Sequence, residues 1–125
     1  GAAAGAAAGA AAAPAPADIK VDRASGPDGR QVAEVHAQRT ELSGKQVVVR
    51  GQVVKFSAGI MGRNWLHLRD GSGSAEAGDN DLTMTGEGMA TVGDVVTVTG
   101  TVQIDKDFGA GYKYAVIVED ATVAK

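Results

Sequence analysis

The sequence predicts an all-β protein whose fold is a small closed barrel of five strands in Greek-key order. From Lys45 onward, apolar and polar residues alternate with a period of two, and β-branched residues, which favour strands, dominate. Gly51 lies within the first alternating segment, where glycine often marks a sharp bend. Five short strands, a bent first strand and long loops after strands one and four are typical of such a barrel, whose closure leaves no unpaired edge.

The alternation places the five strands at residues 46–56, 65–70, 81–85, 95–102 and 112–119. In the second strand, Leu66 and Leu68 point to one side, and the side chains between them point to the other. The side chains predicted to face inward in strands three and four are Leu82, Met84, Val96, Val98 and Val102. In strand one, Val47, Val49 and Val53 are predicted to share one face, and Val48, Arg50, Gln52 and Val54 the other.

One short amphipathic helix is predicted before the strands, over residues 30–42. Val32, Val35 and Leu42 recur at helical spacing. Asp28, followed three residues later by Gln31, resembles a capping box, and residues 43–44, Ser-Gly, form a plausible stop. We therefore divide the chain into a low-complexity tail and linker, residues 1–29, and a folded domain, residues 30–125.

The tail begins with GAAAGAAAGAAAAPAPA, in which Gly1, Gly5 and Gly9 recur every four residues. Its composition favours a flexible tether. Small residues at this spacing would also line one face of a helix and allow close helix contact. The alternative hypothesis is therefore self-association, in which Gly1, Gly5 and Gly9 dock the tail onto another copy and build an oligomer or a filament.

The 125 residues carry a formal net charge of −3, so a basic ligand-binding surface would have to be local. Residues 45–69 contain five Lys or Arg and no acidic residue, whereas residues 70–100 contain six acidic residues and no basic one. The absence of cysteine excludes disulfides, thiol nucleophiles and thiolate metal sites. We find no catalytic triad or metal-ligand spacing, and we predict no enzyme activity, no cofactor, no metal and no membrane span.

Four segments resemble the OB-fold, and more narrowly the exported bacterial OB-fold lipoproteins described as nucleic-acid-binding: GKQVVVRGQVVKF, GIMGRNWLHLRDGSG, VGDVVTVTGTV and DKDFGAGYKYAVIVEDA. The first strand is also similar to the anticodon-binding domain of class II aminoacyl-tRNA synthetases, with its G-x-x-V-x-V-x-G pattern. The resemblance covers about residues 30–123. It implies an exported protein, periplasmic, tethered to the outer membrane or extracellular. Residues 86–93 are too few for the usual helix between strands three and four, so the helix before strand one is expected to cap the barrel.

OB-folds bind ligands on the face of strands two and three, between the loops after strands one and four. Here those loops are residues 57–64 and 103–111, and all five aromatic residues lie at or beside them. Single-strand binders combine aromatic stacking with a cationic groove. The predicted nucleic-acid-binding residues are Lys55, Phe56, Met61, Arg63, Asn64, Trp65, His67, Arg69, Lys106, Phe108, Tyr112 and Lys113.

Alternative roles remain open for the aromatic residues. Trp65 could equally cap one end of the barrel core, since tryptophan is usually largely buried. Strand alternation places Tyr114 inward with Val116 and Val118, which favours a core position. The sequence thus predicts a non-catalytic nucleic-acid-binding module, with self-assembly, or oligosaccharide or peptide binding on the same face, as alternatives.

Overall fold

The computed structural model describes residues 19–125, which form five strands and two short helices. The all-β prediction is confirmed. In chain order the elements are α1 (Val32–Ala37), α2 (Arg39–Leu42), β1 (Gln46–Ile60), β2 (Arg63–Arg69), β3 (Leu82–Gly86), β4 (Val95–Asp107) and β5 (Lys113–Ala124). The five strands form one sheet in the order β1-β2-β3-β5-β4, and β4 also pairs with β1, so the sheet closes on itself.

The long strand β1 pairs with two neighbouring strands. Residues 46–52 of β1 pair with β4, and residues 52–60 pair with β2, both antiparallel. Gly51 lies where β1 changes partner. A Cβ atom there would lie 2.7 Å from Leu68 Cγ and 2.9 Å from the carbonyl oxygen of Arg69. Glycine is therefore required for β2 to approach β1 this closely. β3 and β5 pair in parallel.

The core fills the interior of the closed sheet. The core contains the five side chains of strands three and four that are predicted to face inward. It also contains two groups predicted to share one face of their strand, Val47, Val49 and Val53 in β1 and Leu66 and Leu68 in β2, and they are joined by Val116, Val118 and Ala121 from β5. Burial of each valine, leucine or methionine contributes about 1.5–3 kcal/mol. Val32, Val35 and Leu42 from the helices complete the same cluster, so the helical segment caps the core as expected.

The predicted single helix over residues 30–42 is divided at Gln38, whose φ of −103° and ψ of 15° end α1. Its capping box is formed by Gln31 and Glu34 and not by Asp28 and Gln31. The reason is that residues 28–30 pair with β1. The amide of Arg30 donates to the carbonyl oxygen of Val48, and the amide of Val48 donates to the carbonyl oxygen of Asp28. A segment that pairs with a strand cannot also form the first turn of a helix.

Both long loops are shorter than the sequence predicts, because the strands continue into them. The first loop is reduced to a turn at Met61 and Gly62, which have φ of 54° and 79° and so suit a two-residue hairpin. The second comprises only residues 108–112, between β4 and β5. Ala58 and Gly59 in the first hairpin, and Asp105 and Asp107 in the second, are poor strand formers. Pairing with the neighbouring strand therefore extends both hairpins against local propensity.

The segment before α1 lies along the sheet. The amide of Val21 donates to the carbonyl oxygen of Asp70, and Ala24 is buried. The predictions for Gly1, Gly5 and Gly9 concern residues outside the described part. Within residues 19–125, neither helix has the length and apolar character needed to cross a bilayer.

Candidate nucleic-acid interface

Four aromatic rings meet on the outer face of the sheet. Trp65 lies on the side of β2 opposite to Leu66 and Leu68. Its ring centroid is 5.3 Å from that of Phe108, 6.0 Å from that of Tyr112 and 5.8 Å from that of Tyr114. We call Trp65, Phe108, Tyr112 and Tyr114 the aromatic cluster. It joins the β1–β2 hairpin to the β4–β5 hairpin.

Asp105, within β4, has an unusual backbone conformation close to this contact. Its φ of 52° lies in the left-handed region that non-glycine residues rarely adopt, while the pairing with β5 keeps its register from Ile104 to Lys106. Beyond Asp105, the tip of the β4–β5 hairpin packs on the outer side of β2, since both Phe108 and Tyr112 contact Trp65.

Trp65 is buried although it does not belong to the core cluster. It is 6% exposed, because three other rings cover it from outside. Its Nε1 donates to the carbonyl oxygen of Ile60 at 2.8 Å, so the buried indole N–H is satisfied. Trp65 therefore forms the base of the aromatic cluster.

The predicted core position of Tyr114 is wrong. Although it alternates correctly with Val116 and Val118, it lies outside the core cluster and packs on Trp65 and Phe108 instead. Partial burial, followed by the neighbouring Tyr112, raises the pKa of Tyr114 above its usual value. Phe56, by contrast, is predicted to bind nucleic acid, but it packs against the core and is not part of the aromatic cluster.

Two predicted cations are held beside the aromatic cluster by an acidic residue that the sequence analysis missed. Arg63 and Lys106 lie 5.7 and 5.6 Å from the centroid of Phe108. Both also pair with Glu119, at 3.6 and 3.7 Å. Alternation with the core residue Val118 places Glu119 on the outer side of β5, and this signal could have identified it.

Several of the predicted residues are exposed to solvent. Met61 is 44% exposed and Tyr112 is 43% exposed. Asn64 accepts a hydrogen bond from the Gly59 amide and donates to the carbonyl oxygen of Gly88, so it fastens the hairpin to the segment after β3. Lys55 and Lys113 are exposed, and neither forms an ion pair within residues 19–125.

His67 and Arg69 belong to a separate polar cluster, further along β2. His67 Nδ1 donates to Asp81 Oδ1 at 2.7 Å, and Arg69 Nε donates to Asp81 Oδ2 at 3.0 Å. His36 Nε2 donates to the carbonyl oxygen of Asp81, also at 2.7 Å, and so ties α1 to the start of β3. Burial alone would raise the pKa of Asp81, but the hydrogen bonds and positive charges of His67 and Arg69 lower it below its usual value.

Replacing Asp81 with asparagine is expected to lower the free energy of unfolding at pH 7 by about 1.5–3 kcal/mol, because two charge-assisted hydrogen bonds are weakened. A lowered pKa gives stability that is present above the unfolded pKa, about 3.9, and is lost as the pH falls through the folded pKa. Urea unfolding should therefore show wild type and Asp81→Asn converging below about pH 4. The exposed Asp120→Asn variant is the matched control. An equal gap between wild type and Asp81→Asn at pH 3 and pH 7 would contradict this assignment.

The structure thus brings together Arg63, Trp65, Lys106, Phe108 and Tyr112 in one place and assigns His67 and Arg69 to another. Comparison with known proteins adds no further assignment: no protein-family model matches the chain, and no curated protein has significant sequence similarity to it.

Proposed function

We propose that this protein is a non-catalytic OB-fold module that binds single-stranded nucleic acid across the aromatic cluster. The strand order β1-β2-β3-β5-β4, closed by pairing of β4 with β1, supports the OB-fold and its Greek-key barrel. The parallel pairing of β3 with β5 and the helical segment against the core agree with it. Ligands of such folds lie across strands two and three, between the two hairpins that meet here.

The observation that carries the proposal is the aromatic cluster at the meeting point of the two hairpins. Trp65 is held rigidly beneath Phe108 and Tyr114, and Tyr112 presents an exposed ring beside it. Stacking of a base on an aromatic ring contributes about 1–3 kcal/mol and tolerates any base sequence. Phosphate contacts fall mainly to Lys55 and Lys113, since Arg63 and Lys106 are already paired with Glu119.

Replacing Lys55 and Lys113 together with alanine is expected to weaken binding of a single-stranded oligonucleotide and to reduce its salt dependence. Each phosphate contact to a single strand contributes about −0.7 to the slope of log K against log salt, so losing two should reduce the slope by about 1.4. Fluorescence anisotropy across a series of salt concentrations measures both effects.

The matched control replaces Lys20 and Lys45 with alanine. Both are exposed, and they lie near the end of β2 and the start of β1, away from the hairpin tips. This control changes the net charge equally but should leave the slope unchanged. The proposal fails if wild type does not bind single-stranded DNA or RNA at low salt, or if the two double variants behave alike.

Self-assembly through residues 1–17 remains a second candidate. It is favoured by the exposed apolar side chains of Ile60, Met61 and Met89, which suit contact with another protein surface. Light scattering of the full chain and of a chain lacking residues 1–17 tests this idea. An oligomer that becomes smaller on truncation would support it, and two equal monomers would end it. We also propose that the protein is exported, as its resemblance to exported bacterial OB-fold lipoproteins implies.

A further inference from the structure

A polar cleft opens directly beside the aromatic cluster. It lies between the turn that precedes β2, the end of β3 and the second half of β5, and its volume is about 470 Å³. Sites for small molecules usually measure about 300–1,000 Å³. Gly62 and Gly86 line it without side chains, and Arg63 belongs both to its wall and to the group around Phe108. A ligand stacked on the aromatic cluster could therefore extend one group into this cleft.

Two polar atoms in the walls of the cleft have no hydrogen-bond partner within residues 19–125. One is Oγ1 of Thr85, a residue only 1% exposed. The other is Oε2 of Glu119, whose ion pair with Nη1 of Arg63 spans 3.6 Å, too far for a hydrogen bond. Thr85 and Glu119 lie on the neighbouring parallel strands β3 and β5, since Met84 pairs with Val118. A buried polar group without a partner costs about 1–3 kcal/mol, so their occurrence together at one cleft indicates a site for a polar ligand group.

The chemistry of these atoms defines that group. An ionised carboxylate only accepts hydrogen bonds, so the ligand must supply a donor, whereas a threonine hydroxyl can either donate or accept. A phosphate supplies no donor when ionised, and it would be repelled by Glu87, Glu119 and Asp120, which all line the cleft. Of the parts of a nucleic acid that reach such a cleft, the exocyclic amino group of a base fits best, as when carboxylates accept from cytosine N4.

We propose that Glu119 and Thr85 read the amino edge of one base of a bound single strand, so that the module prefers cytosine to uracil at that position. This inference rests on the proposed function. Cytosine and uracil have the same ring size and stack in similar ways, but position 4 carries an amino donor in cytosine and a carbonyl acceptor in uracil. A carbonyl oxygen facing the carboxylate of Glu119 would be repelled.

The test compares the affinities of oligo-dC and oligo-dU of about 12 nucleotides, within the range that one OB-fold occupies. Wild type should bind oligo-dC about tenfold more tightly, as expected for one well-placed contact. Glu119→Gln should reduce this ratio to near one, because the amide can present a donor as well as an acceptor. Thr85→Val, which keeps the β-branched shape, should reduce it in part. Glu87→Gln is the charge-matched control, because Glu87 is exposed in the same cleft, and it should keep the wild-type ratio.

Two results separate this inference from the proposed function. Equal affinity of wild type for oligo-dC and oligo-dU would overturn the inference but not the proposed function, whereas no binding to either would refute the proposed function itself. An unchanged ratio in Glu119→Gln, or in a folded Thr85→Val if Glu119→Gln does not fold, would also overturn it. Displacement of oligo-dC by a neutral oligosaccharide would assign the cleft to sugar hydroxyls instead.

Discussion

Replacing Trp65 with alanine is expected to lower the free energy of unfolding by about 3–5 kcal/mol and to abolish nucleic-acid binding. The ring is 6% exposed, and its removal would leave a cavity beneath Phe108, Tyr112 and Tyr114. It would also free the tip of the β4–β5 hairpin from the face of β2. Because a domain of this size has a total stability of about 5–15 kcal/mol, this is one of the largest effects expected from a single substitution.

The exposed Tyr112→Ala variant separates folding from binding. Tyr112 is 43% exposed, so its loss should change the unfolding free energy much less than the loss of Trp65. It should still weaken oligonucleotide binding by about 1–3 kcal/mol, the usual contribution of one stacked base. Urea unfolding and anisotropy measure the two quantities. A Trp65→Ala protein as stable as wild type would show that the aromatic cluster does not hold the hairpins together.

The second large effect on stability is expected where β3 pairs with β5. Gly86 lies opposite Ala121 in the parallel pairing of β3 with β5. A Cβ atom there would lie 2.3 Å from the carbonyl oxygen and 2.6 Å from the nitrogen of Ala121. Backbone atoms within a sheet cannot move aside as the end of a side chain can. Gly86→Ala should therefore separate β3 from β5 and cost about 3 kcal/mol.

Gly88→Ala is the control for this substitution, because its added Cβ would lie 2.6 Å from Cγ2 of Val123, the end of a side chain. We expect a clearly smaller loss of stability for this variant, as measured by urea unfolding. Equal losses in the two variants would mean that the parallel pairing is not the critical contact. Since Gly86 also lines the cleft beside Glu119, Gly86→Ala should in addition reduce any preference for cytosine.

The interior of the protein could be predicted from the sequence because strand alternation is a local property. A side chain such as Leu66 or Val98 points to the side of the strand opposite to its neighbour, whatever the strand pairs with. The five residues predicted to face inward in strands three and four are in the core for this reason, whereas Tyr114, which alternation also favours as inward, is not. The placement of all five aromatic residues at the two hairpins was likewise visible in the order of residues alone.

The ends of the elements could not be predicted in this way, since they depend on distant partners. The segment around Gly59 is strand because β2 pairs with it, and residues 28–30 are not helix because they pair with Val48. Local propensity is weak in both places, so long-range hydrogen bonds decide them.

The candidate site, too, could be predicted from the sequence only in part. From the sequence, Arg63 and Lys106 are cations near aromatic residues, and this much is correct. Only the tertiary structure shows that both pair with Glu119 and that Tyr114 packs on Trp65. Alternation thus determined which side of each strand is buried, because it follows from the covalent geometry of the backbone. The partners of each outward side chain were decided by strand pairing and by the contact between the two hairpins, which bring together residues far apart in the chain.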